Sequence, residues 1–155
     1  MTYLIVKWLH ILSSTILFGT GVGSAYYMLF ASRMTRDPKV VAAVVGLVVW
    51  ADGIFTATTM VFQPLSGFYL AHLAGFPLGS TWLLWSIVLY LVAGACWLQV
   101  VWMQIRMRDM ARESVRLGTP LPDDYWRYLN RWTWLGLPAL FAFLGVFYLM
   151  VAKPA

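Results

Sequence analysis

The chain has 155 residues, of which 61% are hydrophobic and 11% are charged, and its formal net charge is +5. Soluble domains carry about a quarter charged residues, so this composition excludes a soluble globular protein and predicts a single integral membrane domain over residues 1–155. The basic residues flank apolar runs, which excludes nucleic acid as the expected partner and favours the lipid bilayer.

Four continuously apolar runs, each long enough to cross a bilayer, follow one another along the chain. Continuous apolar character favours helices over the alternating strands of a membrane barrel. The predicted fold is therefore all-α, a polytopic up-and-down bundle of four transmembrane helices. The predicted spans are residues 3–32, 41–74, 81–105 and 132–152.

The first run carries Lys7 and His10 in the stretch YLIVKWLHILSS, and it is too long for a cleavable signal peptide. Polar and small residues recur in it at helical spacing, and such a stripe faces neighbouring helices rather than lipid. The stripe therefore points His10 into the bundle, either as a metal ligand or as a donor to a neighbouring carbonyl. Its members are Tyr3, Lys7, His10, Ser14, Leu17, Gly21, Ser24 and Met28.

The second helix is predicted to open at Asp37 and Pro38, an N-cap followed by a first-turn proline. Its polar residues form an inward stripe that includes Asp52, the one carboxylate well inside a span. We expect Asp52 to pair with an arginine at the membrane edge, such as Arg33 or Arg106, and a proton relay is the alternative. The stripe consists of Asp52, Thr56, Thr59, Gln63 and Ser66.

The third helix is predicted to begin near Thr81 and to continue past the membrane until Gly118 ends it. Asp123 and Asp124 then stand at the start of the fourth helix, where negative charge favours the helix dipole. The aromatic and basic segment at residues 125–132 is predicted to form an interfacial turn before the last span.

The connections between spans differ in charge. The 33–39 connection has three basic residues and the 106–131 connection has six, whereas the 74–81 connection has none. The positive-inside rule therefore places both basic loops on the cytoplasmic side of a bacterial inner membrane and both termini on the outer side. With this topology His10 and His72 lie at the same outer edge, although His72 points about a third of a turn away from the Asp52 stripe.

Two neutral imidazoles at matched depth can hold one metal centre between helices, and haem iron is the candidate. We predict a b-type haem with His10 and His72 as axial ligands and Met150 as a substitute. Lys7 and Ser14 are the further cofactor-binding candidates. Two strong ligands would leave no position on the iron for oxygen or substrate and would favour electron transfer with a membrane redox partner. A single ligand would leave one position open and permit an oxidase. Enzymatic activity and self-association stay open.

Several stretches resemble a family of bacterial four-helix inner-membrane proteins defined as a domain of unknown function. They are YLIVKWLHILSS, FGTGVGSAYY, VFQPLSGFYLAHLAG, GACWLQVVWMQIRMRDMA and FYLMVAKPA. More distantly, KWLHI and the region from PLSGFYL to TWLLW resemble the HemJ type of protoporphyrinogen oxidase and its CopD-like relatives. That resemblance implies a small helical haem b protein in which His10 stands at the family's first-helix histidine. The HemJ type has a lysine shortly after its third-helix tryptophan, whereas Trp82 is followed by Leu83, Leu84, Trp85 and Ser86.

Three alternatives belong to other functional classes. A HemJ-like porphyrinogen oxidase would need a substrate-binding cation, and Lys7 is the one near the histidines. A copper-handling protein would use histidine with methionine, but the methionines are scattered rather than paired. A structural subunit would need no cofactor at all.

Overall fold

The computed structural model describes residues 1–154, which form helices joined by short connections. A π-helical turn at Asp52–Thr56 joins the second and third of these helices into one continuous span, Pro38–Leu73. Four helical segments are long and apolar enough to cross a membrane, which confirms the all-α four-helix prediction. The helices are α1 (Thr2–Thr35), α2 (Pro38–Ala51), α3 (Ala57–Leu73), α4 (Thr81–Leu117) and α5 (Asp123–Ala152).

Local sequence signals set several helix ends as predicted. The Asp37 side chain accepts a hydrogen bond from the Lys39 backbone N–H at 2.8 Å, and Pro38 occupies the first turn of α2. Gly118 ends α4 in a left-handed conformation at φ 66°, which glycine adopts without a steric penalty from a Cβ atom. Asp123 lies in the first turn of α5.

The interfacial turn predicted at residues 125–132 is wrong, because this segment forms the first turns of α5. Tyr125, Leu129 and Trp132 are buried, whereas Arg127 and Arg131 are exposed. The buried residues recur every three or four positions, which is the period of a helix with one face against the bundle. The mixture of aromatic and basic residues concealed that period.

The close-packed core lies at what we call the basic end of the bundle, which carries the connections at 36–37 and 118–122. Met28, Val45, Met107 and Tyr125 are fully buried there and come from α1, α2, α4 and α5. Every spanning segment therefore contributes to this core.

A smaller cluster closes the opposite end, which carries both termini and the connection at 74–80. The cluster comprises Ala71 on α3 with Trp82 and Leu83 on α4, and Leu149 and Met150 pack against it. The bundle thus has a large packed half at the basic end and a lightly packed half at the opposite end.

Candidate functional site

His10 connects α1 to α3 through a hydrogen bond between side chains. Its Nδ1 atom lies 2.7 Å from the Ser66 Oγ atom. Gly67 lies beside the Cε1 edge of the ring, where an added Cβ atom would lie 3.4 Å from Cε1. The imidazole therefore packs closely against α3 at Gly67.

The partners of Ser66 indicate which nitrogen of His10 carries the proton. The Ser66 hydroxyl has one proton, and it donates to the Phe62 carbonyl at 2.7 Å, a common back-bond of serine in helices. In the imidazole tautomer that carries its proton on Nδ1, His10 donates to the Ser66 oxygen. The lone pair of Nε2 is left free to bind a metal.

Gln63 fixes the backbone of α1 at His10. Its Nε2 atom donates to the His10 carbonyl at 2.9 Å and to the Ser13 hydroxyl at 2.5 Å. Ser13 in turn donates to the same carbonyl at 3.1 Å. Both Gln63 and Ser13 are buried. Such outer hydrogen bonds are the means by which proteins orient a ligating histidine.

The polar stripe on α3 is confirmed, because Asp52, Thr56, Thr59, Gln63 and Ser66 are all buried. Its regular spacing predicts the face of the helix but not which residues of α1 lie opposite. The roles of Ser13, Gln63 and Ser66 around His10 were therefore missed by sequence reasoning. The polar stripes on both helices were the available signal.

His72 lies apart from this network. It is exposed near the end of α3 and lines an open groove of about 560 Å³ with Phe68 and Phe76. No hydrogen bond joins His72 to His10 within residues 1–154, and His10 does not line that groove. His72 lies about a third of a turn from Ser66 in helical rotation. The structure shows no contact that His72 and His10 share, so their pairing around one iron stays a prediction.

The other predicted site residues also lie outside the network. Lys7 is exposed, and its Nζ atom is 5.8 Å from the centre of the Tyr3 ring. The Ser14 hydroxyl donates to the Ile11 carbonyl at 2.7 Å. The predicted stripe on α1 is buried at Leu17 and Met28, whereas Ser13 is buried in place of its predicted member Ser14.

Met150, the predicted substitute ligand, packs at the opposite end against the cluster that contains Ala71. Ala71 is one turn beyond Gly67 on α3, and Gly67 touches His10. Met150 therefore lies at the same end of the bundle as the His10 network.

Asp52 is buried within the π-helical turn, and its carboxyl group is held by neutral side chains. The Thr56 hydroxyl donates to Asp52 Oδ1 at 2.7 Å. The Gln104 side chain of α4 lies next to the same carboxyl group. A π-helical turn inserts one extra residue into a helix, and this turn packs against α1.

The predicted pairing of Asp52 with an arginine is wrong for the part of the chain that the structure describes. Arg33 donates instead to the Asn130 side chain at 3.2 Å, and the Arg106 guanidinium lies over the Trp102 ring. Asp52 takes part in no ion pair among residues 1–154. Both arginines therefore have partners other than Asp52.

Comparison with known families places the chain among membrane proteins. A family model described as "Predicted integral membrane protein (DUF2269)" matches residues 4–154. The chain belongs to this family. No curated protein and no solved structure matches it. With four spanning segments, this DUF2269 member is a multi-pass membrane protein whose apolar surface contacts lipid.

The surroundings of His10 in this DUF2269 protein fit one axial ligand of a haem. Nδ1 of His10 is bound to Ser66, the Nε2 atom has no hydrogen-bond partner among residues 1–154, and Gly67 of α3 is a small neighbour of the ring. The porphyrin supplies the equatorial ligands of its iron, so the protein has to provide axial ligands alone. One histidine meets that requirement.

Proposed function

We propose that this membrane protein binds a b-type haem through His10 and serves in redox chemistry or electron transfer within the bilayer. The His10–Ser66 hydrogen bond carries the proposal. It holds the imidazole by one nitrogen and leaves the other free, the arrangement that ligating histidines have in metalloproteins. A haem bound there would supply one-electron chemistry at its iron.

The two predicted ligands differ in the support that they receive. His10 is held in a buried network, whereas His72 is exposed beside an open groove. Ligation by His10 alone leaves one axial position of the iron for oxygen or a substrate. Ligation by both histidines, or by His10 and Met150, closes the iron and favours electron transfer to a membrane redox partner.

The single-ligand geometry favours a second candidate, a HemJ-like porphyrinogen oxidase. An oxidase needs an open iron, and the separation of His72 from His10 is consistent with one. The substrate-binding cation that such an enzyme needs is not at the site, because Lys7 lies over the Tyr3 ring on an exposed part of α1. Haem binding is therefore the better supported part of the proposal.

The visible spectrum of the purified protein tests the proposal. Protein from cells supplied with a haem precursor should show a Soret band, and His10→Ala should abolish it. His72→Ala is the matched control, because it removes an imidazole from the same end of the bundle without touching the His10 network. Size-exclusion chromatography of each variant verifies folding.

The outcomes separate the functions. A colourless wild-type protein would overturn the haem proposal. Retention of haem by His72→Ala, with a high-spin spectrum in the wild type, supports a single ligand and an open iron. Loss of haem in both variants, with a low-spin wild-type spectrum, supports two histidine ligands and electron transfer.

A further inference from the structure

A second buried polar cluster surrounds Asp52, about three helical turns or 16 Å along the axis from Gln63 and the His10 network. Asp52 is 4% exposed to solvent, and Gln104, which approaches it from α4, is 2% exposed. The cluster therefore lies in the interior of the bundle and is separate from the candidate haem site.

The amide of Gln104 has an unsatisfied acceptor. The Gln104 side chain lies next to the Asp52 carboxyl group. The Gln104 Oε1 atom is buried and has no hydrogen-bond partner among residues 1–154. An amide carries its donor and acceptor side by side, so Oε1 needs a donor close to the same carboxyl group.

Two cations on the neighbouring helices have other partners, and a third lies nearer the basic end. Arg33 of α1 donates to a side chain of α5, and the Arg106 guanidinium of α4 lies over an aromatic ring of its own helix. Arg112 of α4 lies beside Gly46, roughly 9 Å along the axis from Asp52. An ionised carboxylate without a countercharge is costly inside a membrane.

The remaining titratable groups on these helices also have other surroundings. His10 of α1 is bound to Ser66, and Lys39 is exposed at the start of α2. Tyr90 of α4 donates to the Met60 carbonyl at 2.6 Å, and His72 of α3 is exposed at the opposite end. Within residues 1–154, no side-chain cation lies within ion-pair distance of Asp52.

We propose that Asp52 is a proton-binding site within the span and that its protonated form makes a carboxylic acid–amide pair with Gln104. The Gln104 N–H donates to one carboxyl oxygen, and the acid O–H of the other oxygen donates to Oε1. One proton thus removes the uncompensated charge and supplies the missing donor. A carboxylate could do neither.

The site also has partners for the form that has lost its proton. The Thr56 hydroxyl donates to Asp52 Oδ1 and would remain in place, and in the proposed pair the Gln104 N–H would donate to the ionised carboxylate as well. Loss of the proton breaks one O–H bond and passes H⁺ to water or another base, with no redox step. A group with hydrogen bonds in both protonation states is suited to take up and release a proton.

Infrared spectroscopy tests the proposal directly, since a protonated carboxylic acid has a C=O stretch that an ionised carboxylate lacks. The chain has six acidic side chains, and the five other than Asp52 are exposed to solvent, which favours the charged form of a carboxyl group. Purified wild-type protein at neutral pH should therefore show one acid band. Asp52→Asn should remove it, and Asp37→Asn should leave it.

Further measurements keep the test decisive if Asp52→Asn fails to fold. Gln104→Leu removes the amide partner and should move the band to higher frequency. The band should persist in His10→Ala, so failure of haem binding does not affect this result. Absence of the band in the wild type would overturn the proposal. A band that appears only when sodium is replaced by a large organic cation would also overturn it, because a metal cation would then neutralise Asp52.

Discussion

The hydroxyl groups of Ser32 and Tyr125 lie 2.6 Å apart and connect α1 to α5 inside the core of the basic end. The Ser32 hydroxyl donates to the Met28 carbonyl at 2.8 Å, so the Tyr125 hydroxyl is the donor to Ser32. Both residues are fully buried. The first and last helices of the chain are thus joined by a side-chain hydrogen bond at the site of closest packing.

We expect Tyr125→Phe to lower the free energy of unfolding by about 1 kcal/mol, the typical net value of a buried hydrogen bond. Tyr125→Ala should cost about 3–5 kcal/mol, because it also leaves a cavity in the core. Thermal unfolding in detergent measures both changes. Tyr148→Phe is the control, since Tyr148 is 68% exposed and should be neutral. Equal effects of the two Tyr→Phe changes would contradict a role for the Ser32 bond.

Ser66→Ala should weaken haem binding by roughly 10–100-fold, the usual effect of removing an outer partner of a ligating histidine. The change takes away the acceptor of His10 Nδ1–H and frees the ring to rotate. Titration of the haem-free protein with haem, followed at the Soret band, measures the affinity. Ser14→Ala is matched to it, because Ser14 also donates to a carbonyl of its own helix but has no hydrogen bond to the His10 ring among residues 1–154. Similar losses in both would argue against the His10–Ser66 bond as the orienting contact.

Gly67→Val should reduce the amount of haem bound per protein, because the new side chain would push against the imidazole of His10. Gly94→Val is a close control, since a Cβ atom there meets Met60 Cε at 3.4 Å, the same distance that separates a Gly67 Cβ from His10 Cε1. Met60 is flexible and can move aside. Haem content relative to protein measures the difference, and equal haem content in both variants would count against His10 as the ligand.

The orientation in the membrane can be tested with reporter fusions at two glycines. A fusion after Gly118 should report a cytoplasmic location, and one after Gly75 should report the outer side, because the basic residues flank Gly118 and none lies at 74–81. An alkaline phosphatase reporter is active outside, and a fluorescent protein reporter is active inside. A cytoplasmic signal from the Gly75 fusion would place His10 at the inner edge of the membrane.

Periodicity predicted the faces of the helices better than the contacts between them. The stripe from Asp52 to Ser66 is buried as expected, since spacing by three and four residues places side chains on one face. That spacing does not specify how far α1 slides along α3 or rotates against it, so the meeting of His10 with Ser66 could not be predicted. We predicted that Ser14 faces the bundle, whereas Ser13 does. Adjacent residues of a helix differ by about 100° in rotation, which is the size of this error.

The partners of Asp52 illustrate a different limit. A lone carboxylate in a span suggested a cationic partner, because an unpaired charge inside a membrane is costly and charged residues can be recognised in the sequence. In the structure Asp52 begins a π-helical turn, its carboxyl group accepts a hydrogen bond from Thr56, and Gln104 lies next to it. Such a turn depends on the packing around the extra residue. The residue types of the segment DGIFT do not predict it.

The uneven distribution of the core determines where the bundle can open. Free energies of local opening rise with the density of buried apolar contacts, so the basic end should hold the helices together while the opposite end separates. His10 lies in the half that opens more readily. A flat molecule as large as a porphyrin could therefore slide in sideways from the hydrocarbon phase during assembly, while Tyr125 and its neighbours keep the chain folded.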